Sequence, residues 1–579
     1  MKRRHLSRLI FTICLLCMSA RVSAQTQLGA DIDGEAAGDG SGCVSLSSTG
    51  NRLAIGAPLN DGNGDSSGHV RVYQWSGTAW TQIGADIDGE APGDTSASVS
   101  LSSDGNRLAI GAAGNDGNGS GSGHVRVYEW SGTEWTQLGA DIDGEAAGDR
   151  SGWKMSLSSD GDRLAIGARK NDGNGDDAGH VRVYQWSGTE WIQLGADIDG
   201  EAAGDSSGYS VSLSSDGNRL AIGAPDNGDA LTYSVQVNDN SDNSSNVQAN
   251  QDNAGHVRVY QWSGTAWEQL GTDIDGEAAL DRSGVSVSLS SGGNRLAIGA
   301  SGNDGNGDDS GHVRVYQWSG TAWEQLGTDI DGEAADDTFG QFVSLSSDGN
   351  RLAIGAPFND GNGSASGQVR VYQWLGTAWA QIGDDIDGEA AGDLAGQLSL
   401  SSDGNRLAIG AENNDGNGDG SGHVRVYDLS MFNVFRINAG LNDAWYDIET
   451  DGQGFFITVF PDLGAVSLAW FTYDTELPPL DATANLGDPG HRWLTAVGPI
   501  DGNQVMMEIE MTSGGIFDTP TEIIRTDPPG SDGTLLLTFD SCSSGTIEYD
   551  IPSINRQGIV PIQRVADDNI ALCQILNGQ

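Results

Sequence analysis

Arg52-Leu53-Ala54-Ile55-Gly56-Ala57 reads as a short strand, and the same six residues return from Arg107, Arg163, Arg219, Arg295, Arg351 and Arg406. The spacings are 55, 56, 56, 76, 56 and 55 residues. A fixed period is read before anything else, because each copy is one supersecondary unit that cannot bury its apolar face alone. Three further strand patterns accompany each copy: VSLSS, as at Val99 to Ser103, HVRVYQW, as at His69 to Trp75, and WTQLGADI, as at Trp135 to Ile142. Alternation and β-branched or aromatic content mark them as strands. Asp104-Gly105-Asn106 supplies hairpin chemistry between the first pair, and Ser131-Gly132-Thr133 joins the third and fourth. Four antiparallel strands at this period predict propeller blades. The long spacing holds a polar insertion at about 230–253, rich in Asn, Asp and Ser, which reads as a solvent loop.

The ends of the repeat fix how the ring shuts. Thr26-Gln27-Leu28-Gly29-Ala30-Asp31-Ile32 is a fourth strand with no blade before it, and the last copy stops at His423 to Asp428 without one. The N-terminal strand is therefore expected to complete the seventh blade, which removes an exposed sheet edge. The fold class is all-β: a seven-bladed β-propeller over 25–430 closed by an N-terminal strand, then a C-terminal β-rich domain over 431–579. Ahead of it, Lys2, Arg3, Arg4 and Arg8, the apolar run Leu9 to Leu16 and the small-residue site Val22-Ser23-Ala24 read as a signal peptide over 1–24. No later segment is long and apolar enough for a transmembrane helix. The expected destination is outside the cell or at its surface, with the periplasm as the other exported compartment.

The formal charge is −52, and losing the basic leader makes the chain more acidic still. Such a chain repels nucleic acid and anionic lipid. It suits cations, cationic partners or solubility in salt. Cys14 and Cys17 leave with the leader and Cys43 stands alone in the repeats, whereas Cys542 and Cys573 share the C-terminal region, where an oxidising compartment permits them to pair.

Thr338-Phe339-Gly340-Gln341-Phe342-Val343-Ser344 followed by Gly355-Ala356-Pro357 resembles an FG-GAP repeat, as does Gly223-Ala224-Pro225 followed by His256 to Tyr260. The resemblance implies the seven-bladed head of integrin α chains and of bacterial surface proteins, and with it cell adhesion. The Phe-Gly half is intact only in the sixth copy; Ser151-Gly152 and Ser96-Ala97 stand there elsewhere. The family's calcium loop between the first two strands is replaced by a short turn such as Ser347-Asp348-Gly349-Asn350, with too few oxygens for calcium.

Carboxylates gather in two other loops. Asp-Ile-Asp-Gly-Glu follows the fourth strand, as at Asp31 to Glu35, and Asp-Gly-Asn-Gly-Asp follows the second, as at Asp61 to Asp65. In an antiparallel meander these two connections share one rim, so one face should be strongly negative. Oxygens at alternate positions make Asp61, Asn63 and Asp65, Asp172, Asn174 and Asp176, Asp304, Asn306 and Asp308, and Asp415, Asn417 and Asp419 candidate ligands for Ca2+. Asp-Gly and Asn-Gly are also simple turn formers. His69, His124, His180, His256, His312 and His423 open the third strands, with Gln368 in the sixth copy. Spread around a ring, they cannot form one shared metal site. Trp75 and Trp80 flank a turn and should pack across a hairpin or between blades. Arg52 and Arg71 are expected to pair with blade carboxylates.

No nucleophile elbow or Cys-His arrangement occurs in the repeats. Past Met431, Phe455 to Phe460, Ala465 to Tyr473, Val505 to Met511 and Thr534 to Phe539 read as strands of a sandwich-like domain or small barrel. His491-Arg492-Trp493 is its one polar-aromatic cluster. The expectation is an exported binding or adhesion scaffold, not an enzyme, presenting its acidic face to an extracellular protein or glycan and not to nucleic acid. The alternative from another class is a metal-dependent hydrolase or lyase built on the propeller.

Overall fold

The computed structural model describes residues 25–228, 253–430, 437–447, 454–473, 491–513, 524–525, 533–566, 569–570 and 572–573. The leader, nearly all of the insertion at 230–253 and the side chains of His491, Arg492 and Trp493 lie outside them. The chain divides into two compact units, 1–432 and 433–579.

The first unit is a ring of seven sheets. In the first blade, the inner strand Cys43–Leu46 pairs with Arg52–Ala57, which pairs with His69–Trp75. The predicted fourth strand is broken into Trp80–Gln82 and Ile87–Asp88, both paired with the third strand. Gly84, at φ +78°, makes the break, where a Cβ would lie 2.8 Å from Trp135 of the next blade. The N-terminal strand closes the ring as expected: Gln27 lies opposite Tyr427 and Ile32 opposite Val424.

The recurrence of Arg-Leu-Ala-Ile-Gly-Ala follows from how blades stack. Leu53 and Ile55 face the preceding blade and pack on Ala408, Val424 and Val426, whereas Ala54 faces forward onto Leu108 and Ile110. Large residues on one face meet small ones on the next, which fills the wedge at interior density. Gly56 completes the fit, since a Cβ there would lie 2.0 Å from the Ala97 carbonyl oxygen. Polar ties repeat at each seam. Leu101 N–H donates to Ser45 Oγ at 3.0 Å, and Leu46 N–H donates to Ser399 Oγ at 3.0 Å across the closure. Arg52 reaches the next blade's turn, donating to Gly105 O at 2.8 Å and Asn106 Oδ1 at 2.5 Å. Its partners are thus a carbonyl, an amide and Gln74 on its own sheet rather than carboxylates.

The second unit takes the barrel of the two forms expected. Eight antiparallel strands, Asp443–Tyr446, Gly454–Phe460, Ala465–Tyr473, His491–Asp501, Gln504–Ser513, Thr534–Phe539, Ser544–Ile551 and Arg556–Arg564, pair in chain order, and the last pairs back to the first. Closure removes the edges that a sandwich would leave. Trp445, Phe455, Trp470, Phe539 and a set of Leu, Ile and Val side chains fill the interior. Cys542 and Cys573 are joined by a disulfide.

Candidate functional site at the mouth of the ring

The two acidic loops do share one rim. Asn63 Nδ2 donates to Gly89 O and Glu90 O, both at 2.9 Å, which ties the loop after the second strand to the loop after the fourth. Asn174, Asn306 and Asn417 make the same tie to Gly200, Gly332 and Gly34. Asp61, Asp172, Asp304 and Asp415 each turn Oδ1 onto a backbone N–H five residues on, at 2.8–2.9 Å. In each of these loops, then, the first Asp oxygen and the Asn amide nitrogen are engaged in turn and inter-loop bonds, while Asp65 stays exposed. Asp39, by contrast, turns inward: 4% exposed, its Oδ2 accepts from Glu35 N–H at 3.2 Å, Ala36 N–H at 2.9 Å and Asn60 Nδ2 at 3.2 Å.

The histidines that open the third strands lie beneath this rim. His69 is 2% exposed, and its Nδ1 faces Glu35 Oε2 at 3.8 Å. Arg71 holds the same carboxylate through Oε1 at 3.7 Å and donates to Asp33 O at 2.8 Å, so the expected pairing of Arg71 with a blade carboxylate is present. Burial pushes the His69 imidazole below its ordinary value, Arg71 adding to the effect and Glu35 opposing it. Trp75 and Trp80 pack across their hairpin with ring centroids 5.3 Å apart, and Trp80 Nε1 donates to Leu28 O at 3.0 Å across the seam.

Residues that repeat therefore hold the ring. Several residues that break the repeat lie where the inner strands begin, on the acidic rim. After residue 24 the sequence holds two lysines, Lys154 and Lys170, both in the third blade. Beside them the Arg169 guanidinium lies 4.1 Å over the Trp153 ring and 5.5 Å from Tyr209. Arg169 Nε and Trp153 Nε1 are buried without a hydrogen-bond partner. Lys154 reaches to 5.9 Å from the Phe342 ring of the sixth blade. It also bears on the Cys43 thiol, which burial and Glu412 push up while Lys154 and Gln397 pull down. Gln397 Nε2 donates to Glu412 Oε2 at 3.0 Å. These side chains form two asymmetric groups at the mouth: Trp153, Arg169 and Tyr209 from blades three and four, and Cys43, Lys154, Phe342, Gln397 and Glu412 from blades one, three, six and seven. The signal was in the sequence: lining up the copies and reading the positions that do not repeat would have found them.

The fold and its repeats define a class, the seven-bladed β-propeller. Its sixth copy is an FG-GAP repeat: that family's model matches residues 328–372, the copy in which Phe339-Gly340 and Gly355-Ala356-Pro357 are both complete. Among solved structures, a Kuenenia stuttgartiensis hydrazine synthase chain is 14% identical, with 70% of this chain and 98% of that one covered at a TM-score of 0.41. A putative 6-phosphogluconolactonase from Bacteroides uniformis is 9% identical, covering 63% and 90% at 0.42. The periplasmic gluconolactonase of Pseudomonas aeruginosa is 16% identical, covering 60% and 85% at 0.40. No curated protein matches the chain.

Proposed function

We propose that the protein is an exported binding scaffold that takes an extracellular protein or glycan at the mouth of its ring, on the acidic face. One observation carries the reading: most repeated side chains make blade-to-blade contacts, while at the mouth non-repeating residues meet across blades, Arg169 lying over Trp153 and beside Tyr209, and Lys154 reaching Phe342 and, with Glu412, bearing on Cys43. A ring with sevenfold character offers each ligand group seven equal places, and only departures from the repeat single one out. Aromatic faces, fixed cations and two buried donors without partners are the groups from which a selective site is built. The surrounding carboxylates supply long-range repulsion of polyanions and attraction of cationic surfaces.

The test is binding to arrays of defined glycans and of immobilised extracellular-matrix proteins, comparing the parent with Trp153→Ala, Arg169→Ala and the rim variant Asp65→Ala. The expected result is a ligand whose capture falls at least tenfold in the two mouth variants and persists in the rim variant. Capture lost only with the rim carboxylate, or no ligand on either array, would overturn the proposal.

A further inference from the structure

The six histidines sit too far apart to share an ion, but each lies with two carboxylates of its own. Glu35, His69 and Asp86 place one donor atom apiece within 4.8 Å of one another, the arrangement recurs at His124, His180, His256 and His423, and Glu277 and Asp329 bear in the same way on His312. We propose that each of these six clusters binds one first-row divalent cation of the zinc type, through imidazole Nδ1 and two carboxylate oxygens.

Three features beyond proximity support it. The donor set is chemically apt, since imidazole with carboxylate suits zinc and its neighbours rather than calcium, which takes oxygens. The spacing needs little adjustment: Nδ1 and Oε2 are 3.8 Å apart, against roughly 3.3 Å between two ligands held 2.0–2.1 Å from a tetrahedral centre. The carboxylates are also oriented from behind, as metal ligands usually are. Arg71 holds Glu35 through Oε1 and leaves Oε2 toward the imidazole. Gln82 Nε2 donates to Asp86 Oδ1 at 2.6 Å. The Gln-to-Asp contact recurs at 2.6 Å for Asp141, Asp197 and, in the seventh blade, Asp31. His69 itself is buried at 2% exposure, and its other nitrogen, Nε2, has no hydrogen-bond partner. The remaining coordination positions open to solvent beside Glu35, which is 44% exposed, and would be taken by water.

The sixth blade is a built-in control. Gln368 stands where the others have His and donates to Asp387 Oδ1 at 3.2 Å, while Glu333 and Asp385 keep the repeat positions of Glu35 and Asp86. That blade lacks the nitrogen ligand and little else. Calorimetric titration of the full exported chain with Zn2+, in excess calcium to occupy purely acidic loops, should give six equivalents. Gln368→His should give seven, and His180→Gln should give five. Both exchanges swap residues that the fold already accepts at this position, and an unchanged thermal melt without metal confirms folding. Co2+ titration should show ligand-field bands that scale with the histidine number. Zinc binding whose stoichiometry ignores these exchanges, or no binding at all, would overturn the proposal. Neither outcome bears on ligand capture at the mouth.

Discussion

Ile32 lies directly opposite Val424 in antiparallel register, almost four hundred residues away in sequence. Together with Leu28, whose N–H donates to Val426 O at 2.7 Å and whose carbonyl accepts from Trp80, it makes the N-terminal strand a shared part of the last blade and the first. Deleting residues 25–33 takes the outer strand from the seventh blade, exposes the edge of His423–Asp428 and unties Arg71 from Asp33. We expect a loss of more than ten degrees in melting temperature and a rise in aggregation, because an unpaired strand edge templates association. Light scattering and a thermal melt on the truncated chain decide it; a truncated chain that melts with the parent would show that the ring closes by other means.

The blades were legible because their physics is local. An apolar strand sandwiched on both faces leaves an unbroken run such as Leu53 to Ala57, and hairpin turns leave Gly and Asn at fixed offsets. The offset between Thr26 to Ile32 and His423 to Asp428 then gave ring closure by subtraction. Three things were not local. The split of the fourth strand at Gly84 depends on a tryptophan in the next blade. The cross-blade partners of Arg52 sit more than fifty residues on, in a turn whose oxygens a sequence reading treats as solvent-facing. The residues that meet at the mouth come from five blades, so no window of sequence contains them. In the barrel, Phe455 to Phe460 is rich in aromatic and β-branched residues and was visible, whereas Arg556–Arg564 carries Gln557, Pro561 and Gln563 on its outward face and a buried Arg564 at its end, and hides its pattern.

Phe339 tests what the Phe-Gly half of the repeat does. The ring is fully buried, lies 4.2 Å under the Arg370 guanidinium and meets Tyr372 edge-on at 6.5 Å. In five other copies a serine takes the place, and its hydroxyl (Ser41, Ser96, Ser151, Ser207 or Ser283) is buried with no partner. Phe339→Ala should cost about 3–5 kcal/mol, as buried phenylalanines do. Phe339→Ser should lie at the lower end, because five sibling seams already pack around a serine at this position. Equilibrium urea denaturation gives both values, and losses below about 1 kcal/mol would mean that this seam collapses freely around the gap.

The acidic residues of the rim are not equivalent, and two single substitutions separate them. Asp39 gathers two backbone N–H groups and the Asn60 amide while almost fully buried. Asp39→Ala leaves those donors without an acceptor and should cost about 1.5–3 kcal/mol. Asp65 is exposed, so Asp65→Ala should change stability by less than about 0.5 kcal/mol. Added salt should leave this difference in place, since the Asp39 contacts are short and shielded from counterions. Equal losses for the two variants would mean that the rim is held by its collective charge rather than by the inward carboxylate.

The chemistry of Cys43 reports on the mouth. With Cys542 and Cys573 paired, a chain beginning at Gln25 carries one free thiol. Burial and the nearby Glu412 push that thiol up, and Lys154 and Gln397 pull it down by less. Since the thiolate is the reacting species, alkylation near pH 8 should be far slower in the native protein than in urea, and its rate should climb only above the ordinary thiol range. Removing a positive neighbour disfavours the thiolate, so Lys154→Met should slow labelling and move the inflection to higher pH. Removing a negative neighbour does the reverse, so Glu412→Gln should speed it. A pH series of iodoacetamide labelling read by mass spectrometry measures all three proteins. Opposite responses of the two variants place Lys154 of the third blade and Glu412 of the seventh around one sulfur at the mouth. Identical labelling in both would separate Cys43 from the cluster on which the proposed binding site rests.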